Sequence, residues 1–248
     1  MPSYGPLCAR FYDADKPIAP EAEVAWYLDR LPQGDEPVLE VMCGSGRLLL
    51  PLLDHDVNLH GCDSSAAMLA TCEAKLENVG YETTLFLQDA TTLNLPFRYR
   101  AAFIAAGSVQ LIVDPHVACT ALERIRAHLV DPGVLLLDFF VPMEAIHPPG
   151  APVAEARTVA LYDGMKIAHR CETRVDVECR RIDVKSRYEK RSGPMILARE
   201  DEALALTWYS EEEATALVAD AGFHDIRIEL PSFDDGRAHQ RFALSARI

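Results

Sequence analysis

The chain has no stretch approaching the roughly 20 apolar residues that a membrane-spanning helix needs, and Met1 to Asp13 contain no apolar core of signal-peptide length. Both absences predict a cytoplasmic protein. The cysteines (Cys8, Cys43, Cys62, Cys72, Cys119, Cys171, Cys179) are odd in number and none are spaced C-x-x-C, which argues against a disulfide framework and a paired-thiol zinc site. They read as small buried hydrophobes. No histidine pair has metal-ligand spacing, and no metal is expected. Internal repeats, low-complexity tracts and runs of like charge are missing as well. Positive charge is scarce: 24 Lys+Arg stand against 38 Asp+Glu, a formal net charge of −14. Phosphate backbones and anionic membranes would repel such a chain, so neither nucleic acid nor membrane is an expected partner. Hydrophobic residues make up 49% and charged residues 25% of the 248, which excludes bulk disorder and fits one large domain or two small ones.

What is present is an alternation of strand and helix patterns. Glu21 to Leu31 reads as a helix ended by Pro32 and Gly34. Val38-Leu39-Glu40-Val41 is a short strand running into Cys43-Gly44-Ser45-Gly46. A helix over Arg47 to Asp54, a strand over Asn58 to Cys62, a helix over Ser65 to Asn78 and a strand over Thr84 to Leu87 follow. Ala101 to Ala106 is a fourth strand, Pro115 to Leu129 a helix, and Val134 to Phe140 a fifth strand after the break at Asp131-Pro132-Gly133. Strands that are apolar throughout belong in a parallel sheet covered on both faces, so the fold class is a doubly wound, Rossmann-like α/β sheet.

Around Pro142 the pattern changes. Pro148-Pro149-Gly150 marks a break, and Thr158 to Tyr209 alternates with period two, which predicts antiparallel strands with turns at Asp163-Gly164 and Ser192-Gly193-Pro194. Ser210 and Glu213 then form a capping box opening a helix that Gly222 ends, and His224 to Leu230 and Arg241 to Ile248 close the sheet. Residues 1–141 and 210–248 are expected to form the α/β domain, with an antiparallel insertion over 142–209 covering an acceptor site.

A strand that ends in a Gly-x-Gly turn opening a helix brings backbone N–H groups close to a nucleotide-like ligand. Gly44 and Gly46 supply the turn, and Asp63, seventeen residues on at the end of the next strand, is placed to accept from two ribose hydroxyls. A nicotinamide or flavin site wants a third small residue where this chain has Leu49. It would also be ill served by Glu40, four residues before the first glycine, whereas a cationic ligand suits that carboxylate.

On these residues V-L-E-V-M-C-G-S-G-R resembles motif I of the class I S-adenosylmethionine-dependent methyltransferases, and C-D-S-S-A-A-M-L and L-Q-D-A resemble the motifs that follow it. F-I-A-A-G-S-V-Q-L-I and L-V-D-P-G-V-L-L-L-D-F-F are similar to segments of small bacterial members, and the likeness runs from Tyr4 to about Phe140 and through the terminal helix and strands. The resemblance implies S-adenosyl-L-methionine as cofactor and S-adenosyl-L-homocysteine as product. It implies a cofactor site made by Tyr12, Glu40, Cys43, Gly44, Ser45, Gly46, Arg47, Asp63, Ser64, Met68, Asp89, Ala90 and Gly107. Asp63 would hold the ribose, Met68 would pack beside the adenosine, and Asp89 with the Ala90 backbone would address the adenine; Cys43 is a packing residue on this reading. The family usually has glycine where this chain has Met42, whose side chain must turn away from the ligand.

Methyl transfer from a sulfonium needs mostly positioning, so a base is optional. The candidates near the acceptor are Tyr12, Gln110, Asp138, Glu144 and His147, with Tyr12 read as a binding residue and Asp138 as an ionised support for its loop. From Met165 to Arg191 nine basic residues oppose five acids, which reads as a solvated strand face, while Val175, Val177, Ile182 and Val184 are read as a roof over the acceptor or a homodimer contact. The expected function is methylation of an N or O atom of a small molecule. An RNA or protein methyltransferase and a noncatalytic cofactor-binding module are the alternatives.

Overall fold

Val38–Val41 (β1) is buried along its whole length, as a strand must be when helices lie on both sides of it. The computed structural model describes residues 4–142, 153–230 and 240–248. After α1 (Pro6–Asp15) and α2 (Glu21–Leu28) come β1, α3 (Leu49–Asp54), β2 (Leu59–Asp63), α4 (Ala66–Val79), β3 (Leu85–Leu87), β4 (Tyr99–Ile104), α5 (Pro115–Ala127) and β5 (Leu129–Val141). Four strands follow, β6 (Val153–Ala160), β7 (Lys166–Asp176), β8 (Arg181–Ser192) and β9 (Met195–Thr207), then α6 (Glu211–Asp220), β10 (His224–Glu229) and β11 (Gln240–Arg247). The larger sheet has the order β10-β11-β5-β4-β1-β2-β3, parallel from β3 to β5, with β11 antiparallel to both its neighbours; β6 to β9 form a separate antiparallel sheet.

Alternate strand residues feed two cores. Leu39, Ile104, Leu137 and Phe139 meet Leu122 and Ile125 of α5 and Leu217 and Val218 of α6, with Phe139 stacked on Phe242 at 4.9 Å. Val38, Phe103 and Leu136 meet Tyr27 of α2, Leu49 and Leu52 of α3 and Cys72 and Leu76 of α4. Helix ends follow local chemistry. Ser65 caps α4 by accepting from Met68 N–H at 3.1 Å, Gly80 closes it at φ 77°, and Ser210 and Glu213 form the reciprocal capping box of α6.

The structure departs from the sequence reading in several places. Asp131-Pro132-Gly133 does not break the chain: β5 runs through it from Leu129, with a register irregularity against β4 between Tyr99 and Ala101. The helix expected over Glu21 to Leu31 ends at Leu28, and the one expected from Arg47 starts at Leu49. Between β7 and β8 the turn at residues 177–180 has no Gly, Pro or Asn; Arg180 takes φ 48° there. Pro148-Pro149-Gly150 lies outside the described residues. Among those described, no helix is long and apolar enough to cross a membrane.

Candidate active site

Strand order reverses between β1 and β4, and at such a switch point the carboxyl ends of the strands open a crevice. A cleft of about 680 Å³ including its open mouth lies there. It is lined from the loop after β1 by Met42, Cys43, Gly44, Arg47 and Leu48, from the end of β2 by Asp63 and Ser64, and from the loop after β4 by Ala105, Ala106, Ser108 and Leu111. Glu40 and Met68 complete the wall, and Tyr4 and Tyr12 close it from the α1 side.

The loop after β1 is held by Asp63, whose Oδ2 accepts the Gly44 N–H at 2.9 Å while Oδ1 accepts the Ser65 N–H at 2.7 Å. Burial pushes the Asp63 carboxyl up and the N–H groups of Ser65, Gly44 and Ser64 pull it back. Met42, at the position where glycine was expected, takes φ 62°, the left-handed conformation that glycine adopts without cost. The two loop glycines have different tasks. At Gly44 a Cβ would find its nearest neighbour at 4.0 Å, the Met68 sulfur, so this glycine faces the cleft. At Gly46 a Cβ would stand 2.6 Å from Cys72 Sγ and from Leu50 Cδ1, so this one lets helices pack.

Glu40 is the electrostatic centre of the cleft. It is buried, its Oε2 has no hydrogen-bond partner, and burial pushes its carboxyl up to about 8 despite the nearby Arg47. Arg47 is engaged by the buried Glu23 through two hydrogen bonds, that from Nη1 being 2.8 Å long. Burial also raises the Tyr4 and Tyr12 phenols; Arg47 draws Tyr12 partly back. The Cys43 thiol is pushed well above its usual range by burial, which makes it a poor nucleophile.

Of the residues proposed from sequence, Tyr12, Glu40, Cys43, Gly44, Arg47, Asp63, Ser64 and Met68 share the cleft lining, whereas Ser45, Gly46, Asp89, Ala90 and Gly107 stand outside it. Asp89 instead caps the short 3-10 turn Ala90–Thr92, accepting from Thr91 N–H at 2.8 Å, and its charge reaches Asp63. Gln110 is not an acceptor-facing amide. It is fully buried, its Nε2 donates to the carbonyls of Phe140 (2.9 Å) and Thr207 (2.8 Å), and its Oε1 accepts from Phe140 N–H at 2.9 Å. With both donors and an acceptor committed, it joins β5 to the end of β9.

Asp138, also buried, accepts from Tyr27 Oη at 3.0 Å and from Gly107 N–H at 3.1 Å, so it braces the loop after β4; burial lifts its pKa to about 6. Glu144 and His147 lie outside the described residues. Val175, Val177, Ile182 and Val184 are not part of the cleft lining. Tyr4, which sequence reasoning passed over, has no motif of its own; its place in the cleft comes from Ser65 Oγ donating to its carbonyl at 2.7 Å. Among the described residues no group of three or more His, Cys, Asp or Glu is arranged to hold a metal.

Residues 38–133 match the family model of the methyltransferase domain. A phosphatidylethanolamine N-methyltransferase of Cereibacter sphaeroides is 34% identical over 90 residues, 36% of this chain and 44% of the relative. The chain spans less than half the length of the curated relatives it matches. Among solved structures, an S-adenosylmethionine-dependent methyltransferase from Clostridium acetobutylicum ATCC 824 superposes with a TM-score of 0.75 at 17% identity over 97% of both chains. A sugar N-methyltransferase from Streptoalloteichus sp. ATCC 53650 does so with a TM-score of 0.73 at 21% identity, over 96% of this chain and 91% of its own. These two share the fold. Residues 38–133 thus resemble a methyltransferase domain, and the chain has the fold of enzymes whose cofactor is S-adenosyl-L-methionine. The cleft fits that cofactor: the unpartnered Glu40 oxygen suits a cation, and the open face of Gly44 admits close approach.

Proposed function

We propose that the chain methylates a nitrogen atom of a small-molecule amine. S-adenosylmethionine, when bound, supplies a methyl group already activated by its sulfonium. The residues of the cleft then have to bind, orient and exclude water. Glu40 offers a carboxylate to positive charge, Asp63 offers acceptors beside the Gly44 turn, and Tyr4 and Tyr12 close the site from solvent.

The observation that carries the choice of nitrogen is the lack of a base among the described lining residues. The carboxylates there are Glu40 and Asp63, both on the cofactor-binding motifs, and the phenols of Tyr4 and Tyr12 are raised by burial. A neutral amine brings its own lone pair, whereas a hydroxyl needs its proton removed. The N-methyltransferase activities named for the Cereibacter and Streptoalloteichus proteins support the same choice.

The test is a panel of amino sugars, ethanolamine derivatives and their hydroxyl counterparts, incubated with the protein and S-adenosylmethionine and followed by S-adenosylhomocysteine release and product mass. Methylated amines with untouched alcohols are expected. Turnover on alcohols alone, or on RNA or protein alone, would overturn the proposal.

A further inference from the structure

The start of α1 is closed from a distant part of the chain. Its cap residue, Gly5, has no side chain to accept a bond, and no acidic residue stands in the first turn. Carboxylates of β9 take that place. Glu200 accepts from the N–H of Leu7 at 3.0 Å and of Cys8 at 2.8 Å, one bond to each oxygen, and Glu202 accepts from the N–H of Gly5. These are donors that a helix start otherwise leaves to water, and negative charge there meets the positive end of the helix dipole. Gly5 makes room for the arrangement, since a Cβ on it would stand 2.6 Å from Glu200 Cδ.

The same helix is a wall shared by two parts of the molecule. Leu7, Cys8 and Phe11 are buried against Ile167 of β7 and Tyr188 of β8, with the Phe11 and His169 rings 4.8 Å apart. Toward the other side, Tyr12 and Tyr4 line the cofactor cleft. Ser65 at the start of α4 holds the Tyr4 carbonyl, and Lys75 of α4 donates to Asp13 at 2.7 Å. The cleft therefore lies between α4 and a helix whose N-terminus is fixed by the four-stranded sheet.

We propose that Glu200 and Glu202 are positioning residues for the cofactor: by capping α1 from β9 they keep Tyr4 and Tyr12 against the cleft, so that the four-stranded sheet sets how long a nucleoside ligand stays bound. This rests on the reading of the cleft as the S-adenosylmethionine site. Departure of the ligand past α1 requires the carboxylate bonds to open, so weakening them speeds dissociation more than it slows association. Neither glutamate lines the cleft, which separates their effect from that of ligand contacts.

The experiment measures S-adenosylhomocysteine dissociation by stopped-flow displacement from the full chain and from two double variants, Glu200→Gln/Glu202→Gln and Glu200→Ala/Glu202→Ala. Amide hydrogen exchange is followed in parallel. The alanine pair should release the ligand roughly ten-fold faster or more, and the glutamine pair, which keeps an acceptor oxygen at each site, should recover part of the loss. Exchange should rise over residues 7–12 and stay unchanged in β1 and β4. Gly5→Ala, which displaces the Glu200 carboxylate without removing it, should give the same direction and replaces the double variants if they do not fold. Unchanged release, or release that rises while exchange over residues 7–12 does not, overturns the assignment. A wild-type chain that binds no S-adenosylhomocysteine overturns the reading of the cleft itself, whatever the variants do.

Discussion

Asp63 and Gly44 are hydrogen-bonded to each other, carboxylate oxygen to backbone N–H, at 2.9 Å. The acid at the end of β2 is thus bonded into the loop that follows β1, and one side chain both shapes the loop and offers acceptors to the ligand. Asp63→Ala should weaken S-adenosylhomocysteine binding by about 1.5–3 kcal/mol, the value of hydrogen bonds with charged character. It should also lower the melting temperature. Calorimetry on the variant checks both, and undiminished affinity would remove Asp63 from the site.

Glu40 gives the site a pH signature. With its carboxyl pushed up to about 8 by burial, the free protein holds a proton there at neutral pH. The unfolded chain does not hold it, so Glu40 lowers stability progressively as pH rises from the ordinary carboxylate range toward 8. A bound cation favours the ionised form instead. Binding of S-adenosylmethionine near pH 7 should release a proton, and affinity should rise with pH up to about 8. Titration heats in buffers of different ionisation enthalpy measure the release; Glu40→Gln should abolish it, and buffer-independent heats in the wild type would contradict it.

The two loop glycines should respond in opposite ways to alanine. Gly46→Ala forces a Cβ into Cys72 and Leu50 at a backbone φ of 75°, which should cost about 2–4 kcal/mol of stability. Gly44→Ala meets open space on the cleft side and should cost less stability but more cofactor affinity. Denaturant melts paired with binding isotherms would show the crossing, and parallel losses in both variants would deny the division of roles.

Gln110→Leu leaves the Phe140 N–H and the carbonyls of Phe140 and Thr207 without their side-chain partner. A destabilisation of about 1–3 kcal/mol is expected, with the melting temperature falling by roughly 2–4 °C per kcal/mol in a chain of this size. Cofactor affinity should hold. A variant with an unchanged melting temperature that has lost turnover would give the amide a role toward the acceptor.

The parts of the molecule that sequence alone makes legible are those whose physics is local. The strand over Val38 to Val41, the Gly44 turn, the helix that follows Ser65 and the capping box at Ser210 each depend on residues a few positions apart, and all are present. Period-two alternation likewise revealed the second sheet. Long-range partners leave no such trace. Nothing near Gln110 in the chain announces that the Thr207 carbonyl will accept its hydrogen bond, nothing near Leu7 announces Glu200, and Tyr4 enters the cleft through a bond to Ser65. Asp131-Pro132-Gly133 has the composition of a turn and stands as an irregularity inside β5, whose pairing with β4 passes from Leu129 to Val134.

The seat of β11 between β5 and β10 has a consequence for biogenesis. During synthesis β5 leaves the ribosome long before the strand that will flank it, because all of β6 to β9 and α6 are made in between. Until Phe242 arrives to stack on Phe139, a nascent chain carries an apolar open edge beside β5. Substitutions along β11 should therefore raise chaperone demand during translation as well as loosen the finished core.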